Sequence, residues 1–510
     1  MQKNSIAAIK RARTAKLARI ISRAYYLNRR HKDGRMYTYV LEEFMKMGGV
    51  YIKFLQGVLL KSEVMRRWHN PDRMKIFEKL ETEHIDAIGI LRNELSPEKL
   101  KDITGIQPEP FAAGSFGQVY YGTHKNGKPI IIKILRPMVR ELLRYDLRIL
   151  GGFMRRFYTM MMSNMDMDIN QAVKEFTAST LRETDYIAEA EFGNELYEHY
   201  KNHPYIVIPQ TFVDLCTPNI IVQEYIDGIS VAEIVSLQEQ GVDPTTYVQE
   251  KLGSDLDTQL ETLGYEAIIG IFNLPRIQGD PHPGNIRLMK DNKVGIIDFG
   301  ISAPAPKNKT ALLGLITEWD KFYSEGNSIS AMFEQFMYFF AGDLYLSLKK
   351  LSAFTDTSGD TNFTQEIGDM AQSTLAANLK DRDIGSLIAS GRILQIINRL
   401  VNKDNRFGLV MKLESSEIIR AVQTYMTLVE ALGRHSVVLP QVLRRSAETI
   451  QATHPELMHA REDAISLQHA LDTVSNWLER VAERDPQLFK KILVTARTKR
   501  MQDVKEATSA

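Results

Sequence analysis

The sequence is poor in cysteine and in long hydrophobic runs. Its 510 residues include a single cysteine, Cys216, which excludes an internal disulfide, a four-cysteine zinc site and a CxxC pair and favours a reducing compartment. No stretch approaches the ~18 uninterrupted apolar residues of a membrane-spanning helix, and no apolar signal-peptide core lies near Met1. We therefore predict a cytoplasmic protein that is soluble or at most peripheral at the inner face of a membrane.

Basic residues are concentrated at the start of the chain. Lys and Arg number 64 and Asp and Glu 63 overall, whereas residues 1–36 contain eleven Lys or Arg and one acid, Asp33. Apolar residues recur there at helical spacing, which predicts a basic amphipathic helix. Three interpretations stay open for it: a solvated helix, a surface that binds anionic lipid, and a transit peptide for an organelle. A nucleic-acid partner is not expected, and the oligomeric state is not indicated.

Secondary-structure patterns divide the chain into five segments. Helical spacing dominates before about residue 105 and after about residue 303, and β-rich runs flank three turns between them. Each turn predicts a hairpin, because Asn, Asp and Gly tolerate positive φ. The three turns are Asn126-Gly127, Thr217-Pro218-Asn219 and Asp291-Asn292. The predicted boundaries are residues 1–36, 37–105, 106–228, 229–415 and 416–510.

A glycine-containing turn precedes a strand that carries a lysine. The sequence Gly114-Ser115-Phe116-Gly117 leads into one β-rich run, and Lys133 lies inside the next. Such a loop lets backbone N–H groups approach phosphates, and an ammonium on the neighbouring strand neutralises their charge. Taken alone, the same pattern also fits an ordinary turn beside an edge-strand lysine.

The most specific motif consists of two acidic turns. Asp280 and Asn285 are five residues apart, and Asp298, in Asp298-Phe-Gly300, follows an apolar run thirteen residues after Asn285. This is the spacing of a kinase catalytic loop and its metal-binding strand. In such a loop one Asp orients the phosphoryl acceptor, while Asn and the second Asp hold Mg²⁺ on the ATP phosphates. The sequence therefore predicts an ATP- and Mg²⁺-dependent site.

Three acidic residues fall within one predicted helical run. Glu183, Asp185 and Glu189 belong to this run, and Glu183 and Glu189 lie on different faces of a helix with 3.6 residues per turn. From periodicity alone, a solvated helix face is the better explanation. A lysine that binds phosphates in a kinase-like site, however, needs an acidic partner.

These residues resemble one family, the UbiB/ADCK-type atypical kinases linked to coenzyme Q and related isoprenoid lipids. The resemblance runs from about Tyr51 to Gly300. Lys53-Phe-Leu-Gln56 is similar to the family's KxGQ motif, Glu183-Thr-Asp185 to its ExD motif, and Phe111-Ala-Ala-Gly-Ser115 to its alanine-rich nucleotide loop. The resemblance implies an α+β, protein-kinase-like fold with two lobes. An N-terminal helical KxGQ-type extension would fold over the site, and the C-terminal half would be mostly helical.

The resemblance also implies a role for each motif residue. Lys133, paired with Glu189, would bind the α- and β-phosphates, and Asp280 would orient the acceptor or a water molecule. Asn285 and Asp298 would hold Mg²⁺. The family-motif residues that would bridge the extension to the active site are Lys53, Gln56, Glu183 and Asp185. The residues that would contact the nucleotide are Ala113, Gly114, Ser115, Phe116, Gly117, Val119, Lys133 and, at the hinge to adenine, Glu224 and Tyr225.

The predicted function is an atypical kinase or ATPase that supports isoprenoid quinone or other lipid metabolism, with a small lipid or quinone precursor as substrate. A protein kinase is one alternative, although no Ala-Pro-Glu follows Gly300 within fifty residues to anchor a peptide-binding segment. A non-catalytic, nucleotide-gated scaffold for a lipid-biosynthesis assembly is the other. Two residues depart from the family: Leu55 replaces the KxGQ glycine, and Gly114 replaces the third alanine of the nucleotide loop.

Overall fold

Helices and short strands alternate through this computed structural model. It describes residues 2–30, 35–55, 85–114, 116–161, 169–326, 342–355, 413–458 and 466–484, and a few positions within 331–339 and 486–490. The helices are α1 (Gln2–Arg30), α2 (Arg35–Met45), α3 (Val50–Phe54), α4 (Ala87–Glu94), α5 (Pro97–Leu100), α6 (Val139–Met161), α7 (Ile169–Arg182), α8 (Tyr186–Tyr200), α9 (Val231–Glu239), α10 (Pro244–Leu252), α11 (Leu256–Asn273), α12 (Lys309–Glu325), α13 (Asp343–Thr355), α14 (Leu413–Ala431), α15 (His435–Thr453) and α16 (Leu467–Arg484). The strands are β1 (Ile103–Thr104), β2 (Ala112–Ala113), β3 (Gly117–His124), β4 (Pro129–Leu135), β5 (Ile206–Val207), β6 (Ile220–Glu224), β7 (Ile229–Ser230), β8 (Arg276–Gln278), β9 (Ile286–Leu288), β10 (Val294–Ile296) and β11 (Ser302–Pro304). The predicted α+β class is confirmed.

Contacts within the chain divide it into two compact units. The first contains residues 1–202, 208–226 and 298–301, and the second contains residues 203–207, 227–297 and 302–510. Each unit carries part of the predicted site. Lys133, Glu189 and Asp298 belong to the first unit, whereas Asp280 and Asn285 belong to the second.

An antiparallel sheet lies at the centre of the first unit. Its strand order is β1-β3-β4-β6, and β2 pairs with the start of β3. The β3–β4 hairpin closes at Asn126-Gly127, as predicted, and Gly127 has a φ of 85°, which glycine adopts without the steric penalty of a Cβ. The strand register places Val119 and Ile221 on either side of Lys133.

The two faces of this sheet have different surroundings. Along β3 and β4, fully buried side chains alternate with half-buried ones. The buried face carries Tyr120 and Ile132, which pack in one cluster with Leu91 of α4. The opposite face carries Val119 and Lys133, which are less completely buried than Tyr120 and Ile132. Because alternate residues of a strand point to opposite faces, the covering of one face leaves Lys133 on the less covered one.

The basic N-terminal helix is part of a second core in the first unit. Helix α1 forms as predicted, and its Leu17, Ile20 and Ala24 are buried with residues of α2, α3 and α6. A fully solvated helix is therefore the wrong interpretation of this segment. Arg19 and Arg23 lie on its exposed side. Among the described residues, no helix is both long enough and apolar enough to cross a membrane.

Of the three predicted hairpins, two are confirmed and one forms only in part. Strands β9 and β10 pair across Asp291-Asn292, and both turn residues have positive φ. Before β6, however, Val213–Leu215 forms a 3₁₀ helix, and an isolated bridge joins Thr211 to Gln223. Cross-strand bonds join the Phe212 N–H to the Val222 carbonyl and the Glu224 N–H to the Gln210 carbonyl, and local bonds of the 3₁₀ turn interrupt this pairing after Phe212.

Helices form most of the described part of the second unit. Helix α11 packs against α15, α12 also packs against α15, and α13 packs against α16. The Tyr425 hydroxyl of α14 donates to the Leu260 carbonyl of α11 at 2.9 Å. Gly264 permits this approach, because a Cβ there would collide with the tyrosine ring. Strands β8 and β9 flank the segment that carries Asp280 and Asn285.

Candidate active site

Three charged side chains of the first unit meet on the less covered face of its sheet. Lys133 Nζ in β4 donates to Glu189 Oε1 in α8 at 2.6 Å and lies 3.9 Å from Asp298 Oδ2. The side chains of Lys133 and Glu189 are 14% and 7% exposed, whereas that of Asp298 is 43% exposed. One lysine therefore faces two carboxylates, of which one is buried and the other is open to solvent.

The surrounding charges keep this lysine protonated. Burial would lower the pKa of Lys133, but the Glu189 and Asp298 carboxylates outweigh burial and raise that pKa above its ordinary value. The ammonium is fixed by one carboxylate and faces a second one that solvent can reach. Such a group can bind an anion that brings its own cation, as a metal-bound phosphate does.

The start of α8 determines where Glu189 lies. The Asp185 side chain caps this helix by accepting the Ala188 N–H at 3.2 Å, and Glu189 falls in the first turn. The prediction that Glu183, Asp185 and Glu189 share one helix is therefore wrong. Helix α7 ends at Arg182 and Glu183 lies in the turn that follows, because an aspartate that caps backbone N–H groups starts a new helix instead of continuing one.

Two glycines allow neighbouring segments to approach α8. A Cβ added at Gly193 would lie 2.9 Å from Phe299 Cδ2, so this glycine lets the ring that follows Asp298 pack against the helix. A Cβ added at Gly117 would lie 2.5 Å from the Tyr186 hydroxyl at the start of the helix. Burial raises the pKa of Tyr186, so its phenol stays neutral there. Tyr186 was not among the predicted site residues, and its position directly after Asp185 is the only sequence signal for it.

The predicted nucleotide loop forms a tight turn at the start of β3. The Gly114 N–H donates to the Gly117 carbonyl at 2.9 Å. Phe116 is buried and Ala113 is half-buried, and Ser115 lies outside the described residues. A Cβ at Gly114 would come no closer than 3.9 Å to the Gly117 carbonyl, so the alanine typical of the family would fit.

The KxGQ-like and ExD-like residues also come together. Lys53 in α3 forms an ion pair with Glu183, and its ammonium lies 5.7 Å from the centroid of the Phe116 ring. Leu55, which replaces the family's glycine, is fully buried in the core that α3 shares with α1 and α6. Gln56 lies outside the described residues. The helical extension thus contacts the nucleotide loop through Lys53, and Phe116 is also buried in the core that contains α2 and α3 residues.

The two predicted hinge residues use their backbone N–H groups within the fold. The Glu224 N–H donates to the Gln210 carbonyl and the Tyr225 N–H to the Pro129 carbonyl, each at 2.9 Å. The Glu224 carboxylate pairs with Lys128 at 3.1 Å. A base bound here would not find these two N–H donors available, so contact with the Tyr225 ring is the more accessible interaction.

An exposed phenylalanine accompanies Tyr225. The Phe111 ring is 52% exposed and lies 6.0 Å from the Tyr225 ring, which is 5.4 Å from the Tyr121 ring. The sequence pattern assigned Phe111 to the loop motif but not to the nucleotide contacts. Its signal in the sequence is a large aromatic residue directly before small loop residues, where burial in a core is not expected.

In the second unit, Asp280 and Asn285 are held by short-range hydrogen bonds. The Gln278 side chain accepts the Asp280 N–H at 3.1 Å and donates to the Asp280 carbonyl at 2.8 Å. Asn285 ends a 3₁₀ turn, and its carbonyl accepts the Ile297 N–H at 3.0 Å. Ile297 directly precedes Asp298 in the chain. Within the described ranges, no group of three or more His, Cys, Asp or Glu side chains is arranged to hold a metal ion alone.

Comparison with known proteins identifies the class. Residues 79–319 match the ABC1 atypical kinase-like domain, so this part of the chain is similar to that domain, and the predicted resemblance to UbiB-type kinases is confirmed. The chain is 30% identical over 235 residues to the Arabidopsis thaliana protein ACTIVITY OF BC1 COMPLEX KINASE 1, chloroplastic, a match that covers 45% of this chain and 32% of that relative. It is 24% identical over 436 residues to a probable protein kinase UbiB of Enterobacter sp. (strain 638), a match that covers 80% of this chain and 69% of that relative.

Coverage of the relatives is partial. The match spans less than half the length of several curated relatives, at 32%, 37% and 46% of their chains. Among solved structures, the complex of Rv3197 with erythromycin from Mycobacterium tuberculosis is similar over 79% of this chain and 92% of that chain, with 20% identity and a TM-score of 0.47.

The two loop glycines should respond differently to alanine. Gly117→Ala places a Cβ 2.5 Å from the Tyr186 hydroxyl and 2.8 Å from the Ile134 carbonyl, so the tyrosine side chain and the backbone of the strand must shift, and we expect the free energy of unfolding to fall by about 1–3 kcal/mol. Gly114→Ala meets no such neighbour and should change the free energy of unfolding by less than about 0.5 kcal/mol. Urea denaturation of both variants measures the difference, and equal midpoints would contradict the packing of Gly117 against Tyr186.

Proposed function

We propose that this chain binds ATP with Mg²⁺ and acts as an atypical kinase or ATPase. The observation that carries the proposal is the buried Lys133–Glu189 ion pair, which faces the exposed Asp298 on the less covered face of the sheet. A strand lysine held by a helix glutamate, next to a glycine turn, meets the requirement for binding nucleotide phosphates in kinases. All of these residues lie within the matched domain, residues 79–319.

Asn285 and Asp298 are proposed to hold the metal. Both supply oxygen donors, and Mg²⁺ is usually bound by one or two carboxylates together with substrate phosphates and water. The Asp298 carboxylate suits this type of site, because it is half-exposed beside Lys133 and so can accept a metal that also binds phosphates and water. When bound, Mg²⁺ neutralises negative charge on the phosphates.

The remaining tasks are assigned to side chains and backbone of this chain. Lys133 binds the α- and β-phosphates, Glu189 fixes its ammonium, and Asp280, held at its backbone by Gln278, orients the acceptor hydroxyl or a water molecule. The turn at Gly114–Gly117 is proposed to lie against the phosphates, and Tyr225 to contact the base. The other proposed nucleotide contacts are Ala113, Val119 and Glu224.

A small lipid or quinone precursor is the proposed substrate class. Its support is the UbiB-type relationship and the contact of Lys53 with both Glu183 and Phe116, which connects the helical extension to the nucleotide loop. A protein kinase is the second candidate, and it is favoured by the description of UbiB relatives as probable protein kinases. A nucleotide-gated scaffold would bind nucleotide without turning it over.

Substitution of Asp298 and of Asp280 should distinguish ATP binding from phosphoryl transfer. Asp298→Asn should abolish Mg²⁺-dependent ATP binding, because an amide cannot offset the metal's charge. Asp280→Asn should keep ATP affinity within about twofold and lower turnover by ~10²–10⁴-fold, the usual contribution of a positioned proton acceptor. ATP affinity with and without Mg²⁺, and phosphate release, are measured for both variants and the wild type.

The same measurements distinguish the alternatives. Unchanged Mg²⁺-ATP affinity in Asp298→Asn would refute the metal assignment. Tight binding with no turnover in the wild type, including in the presence of quinone-precursor-like phenols, would favour the scaffold. Phosphate transfer to a protein in preference to those phenols would favour the protein kinase.

We also propose that the exposed side of α1 contacts an anionic membrane surface. The apolar side of α1 is occupied by the core of the first unit, so the helix would bind through its charges and not by inserting. Tyr25 and Tyr26 are exposed near its end, with the Arg29 and Arg30 guanidinium groups 5.6 Å and 5.3 Å from their ring centroids. Amphipathic aromatic rings beside basic groups suit a lipid headgroup layer.

Charge reversal on this side should weaken lipid binding without affecting the fold. Arg19→Glu/Arg23→Glu should reduce co-sedimentation with phosphatidylserine vesicles by roughly 10-fold or more, since each basic group near such a surface contributes ~1 kcal/mol. The matched control is Arg92→Glu/Lys99→Glu, which makes the same charge change on exposed residues of α4 and α5. Equal binding by the two double variants would contradict the proposal. Deleting α1 is a poor test, because it would uncover its buried apolar residues.

A further inference from the structure

Helix α3, which carries Lys53, is too short to fix its own orientation. It spans only Val50–Phe54, and among the described residues no side chain caps its start at Gly49. A helix of this length is not stable by itself. Its orientation therefore depends on what its side chains contact in the first unit. Tyr51 is fully buried, and its ring lies 5.4 Å from the Phe44 ring.

The Tyr51 hydroxyl is bound by a buried carboxylate outside the candidate active site. It donates to Asp146 Oδ1 on α6 at 3.2 Å, and the other oxygen of Asp146 pairs with Arg13 on α1. The Asp146 side chain is only 4% exposed. Burial raises its pKa, and the Arg13 charge acts in the opposite direction. Val50, Phe54 and Leu55 are buried in the same core, and the hydrogen bond to this carboxylate adds a directional contact to that packing.

Helix α6 also contacts the turn that contains Glu183, the ion-pair partner of Lys53. Six residues before Asp146, a separation of about 9 Å along the helix, Arg140 Nη2 donates to the Thr184 carbonyl at 2.9 Å. Thr184 follows Glu183 in the turn between α7 and α8. Helix α6 thus contacts both sides of the Lys53–Glu183 ion pair, one through Tyr51 and the other through the backbone of the turn.

We propose that α6 aligns Lys53 with Glu183 and that Asp146 is a positioning residue that acts through the Tyr51 hydroxyl. The proposal rests on the proposed function, because the Lys53 ammonium lies over Phe116 of the proposed nucleotide loop. Rotation of α3 would withdraw that ammonium from the Phe116 ring and from Glu183 together. The loop would then hold nucleotide less firmly, while Lys133 and its carboxylates would keep their contacts.

The mildest test removes one hydroxyl group from the full-length protein. Tyr51→Phe should raise the Kd and KM for ATP roughly 2–10-fold, the effect of one lost hydrogen bond, and leave kcat within about twofold. Lys53→Met should weaken ATP binding at least as much. The double variant should bind ATP no more weakly than Lys53→Met alone, since the tyrosine acts through the lysine. Arg13→Gln, which weakens the hold on Asp146, should act in the same direction and replaces Tyr51→Phe if that variant does not fold.

Tyr120→Phe is the matched control. Tyr120 is also fully buried in the first unit, and its hydroxyl donates to Gln118 Oε1 at 2.6 Å on the opposite face of the sheet. This variant should lose a similar amount of thermal stability but keep wild-type affinity for ATP. A purely structural role for Tyr51 predicts instead that the two variants behave alike and that the Tyr51 and Lys53 effects add.

Hydrogen exchange makes the test independent of nucleotide binding. In Tyr51→Phe, amide exchange should rise in peptides that cover residues 50–54 and 183–185, and Tyr120→Phe should leave these peptides unchanged. If the wild type does not bind ATP, the proposed function fails, and the exchange pattern alone decides whether α6 aligns the pair. Unchanged exchange in residues 50–54, or equal ATP affinities for the two Tyr→Phe variants and the wild type, would overturn the proposal.

Discussion

The buried Lys133–Glu189 ion pair is the constraint on which the rest of the first unit depends. Removal of one partner from a buried pair leaves an uncompensated charge, which typically costs about 3–5 kcal/mol. Strand β4 and helix α8 must therefore be held at one fixed separation. The Asp185 cap fixes where α8 begins. Gly117 and Gly193 then allow the start of β3 and the Phe299 ring to approach the helix closely.

The helical extension has a separate effect on each face of the sheet. Helix α4 covers the face that carries Tyr120 and Ile132, and strand alternation consequently leaves Lys133 on the other. Near that other face, α3 provides Lys53 to Glu183 and to the ring of Phe116. The extension therefore contributes both to the core that supports the sheet and to the polar contacts beside the nucleotide loop. Helix α6 packs against α1 and α3, so it supports the part of the extension that carries Lys53.

Local sequence rules predict some of these features and not others. The turn at Asn126-Gly127 and the helix after Asp185 follow from the preferences of single residues, although periodicity alone extended that helix back across Glu183. The meeting of Lys133 with Glu189 followed from chemical need and family resemblance. The Tyr51–Asp146–Arg13 contacts gave no signal, because three residues remote in sequence become partners only when three helices pack. The same is true of Gly193, whose role depends on a ring that lies in a different segment.

The two residues that depart from the family pattern lie near the two partners of the Lys53–Phe116 contact. Leu55 lies near Lys53, and Gly114 lies near Phe116. Leu55 adds a fully buried side chain next to α3, which favours a fixed position for Lys53 because its apolar surface is removed from water. Gly114 lacks a Cβ, and the turn that it begins is closed by its own N–H, which donates to the Gly117 carbonyl at 2.9 Å. Phe116, within this turn, is buried in the same core as Leu55 and lies beside the Lys53 ammonium. The position of the loop therefore depends on the helical extension as well as on the turn's own hydrogen bond.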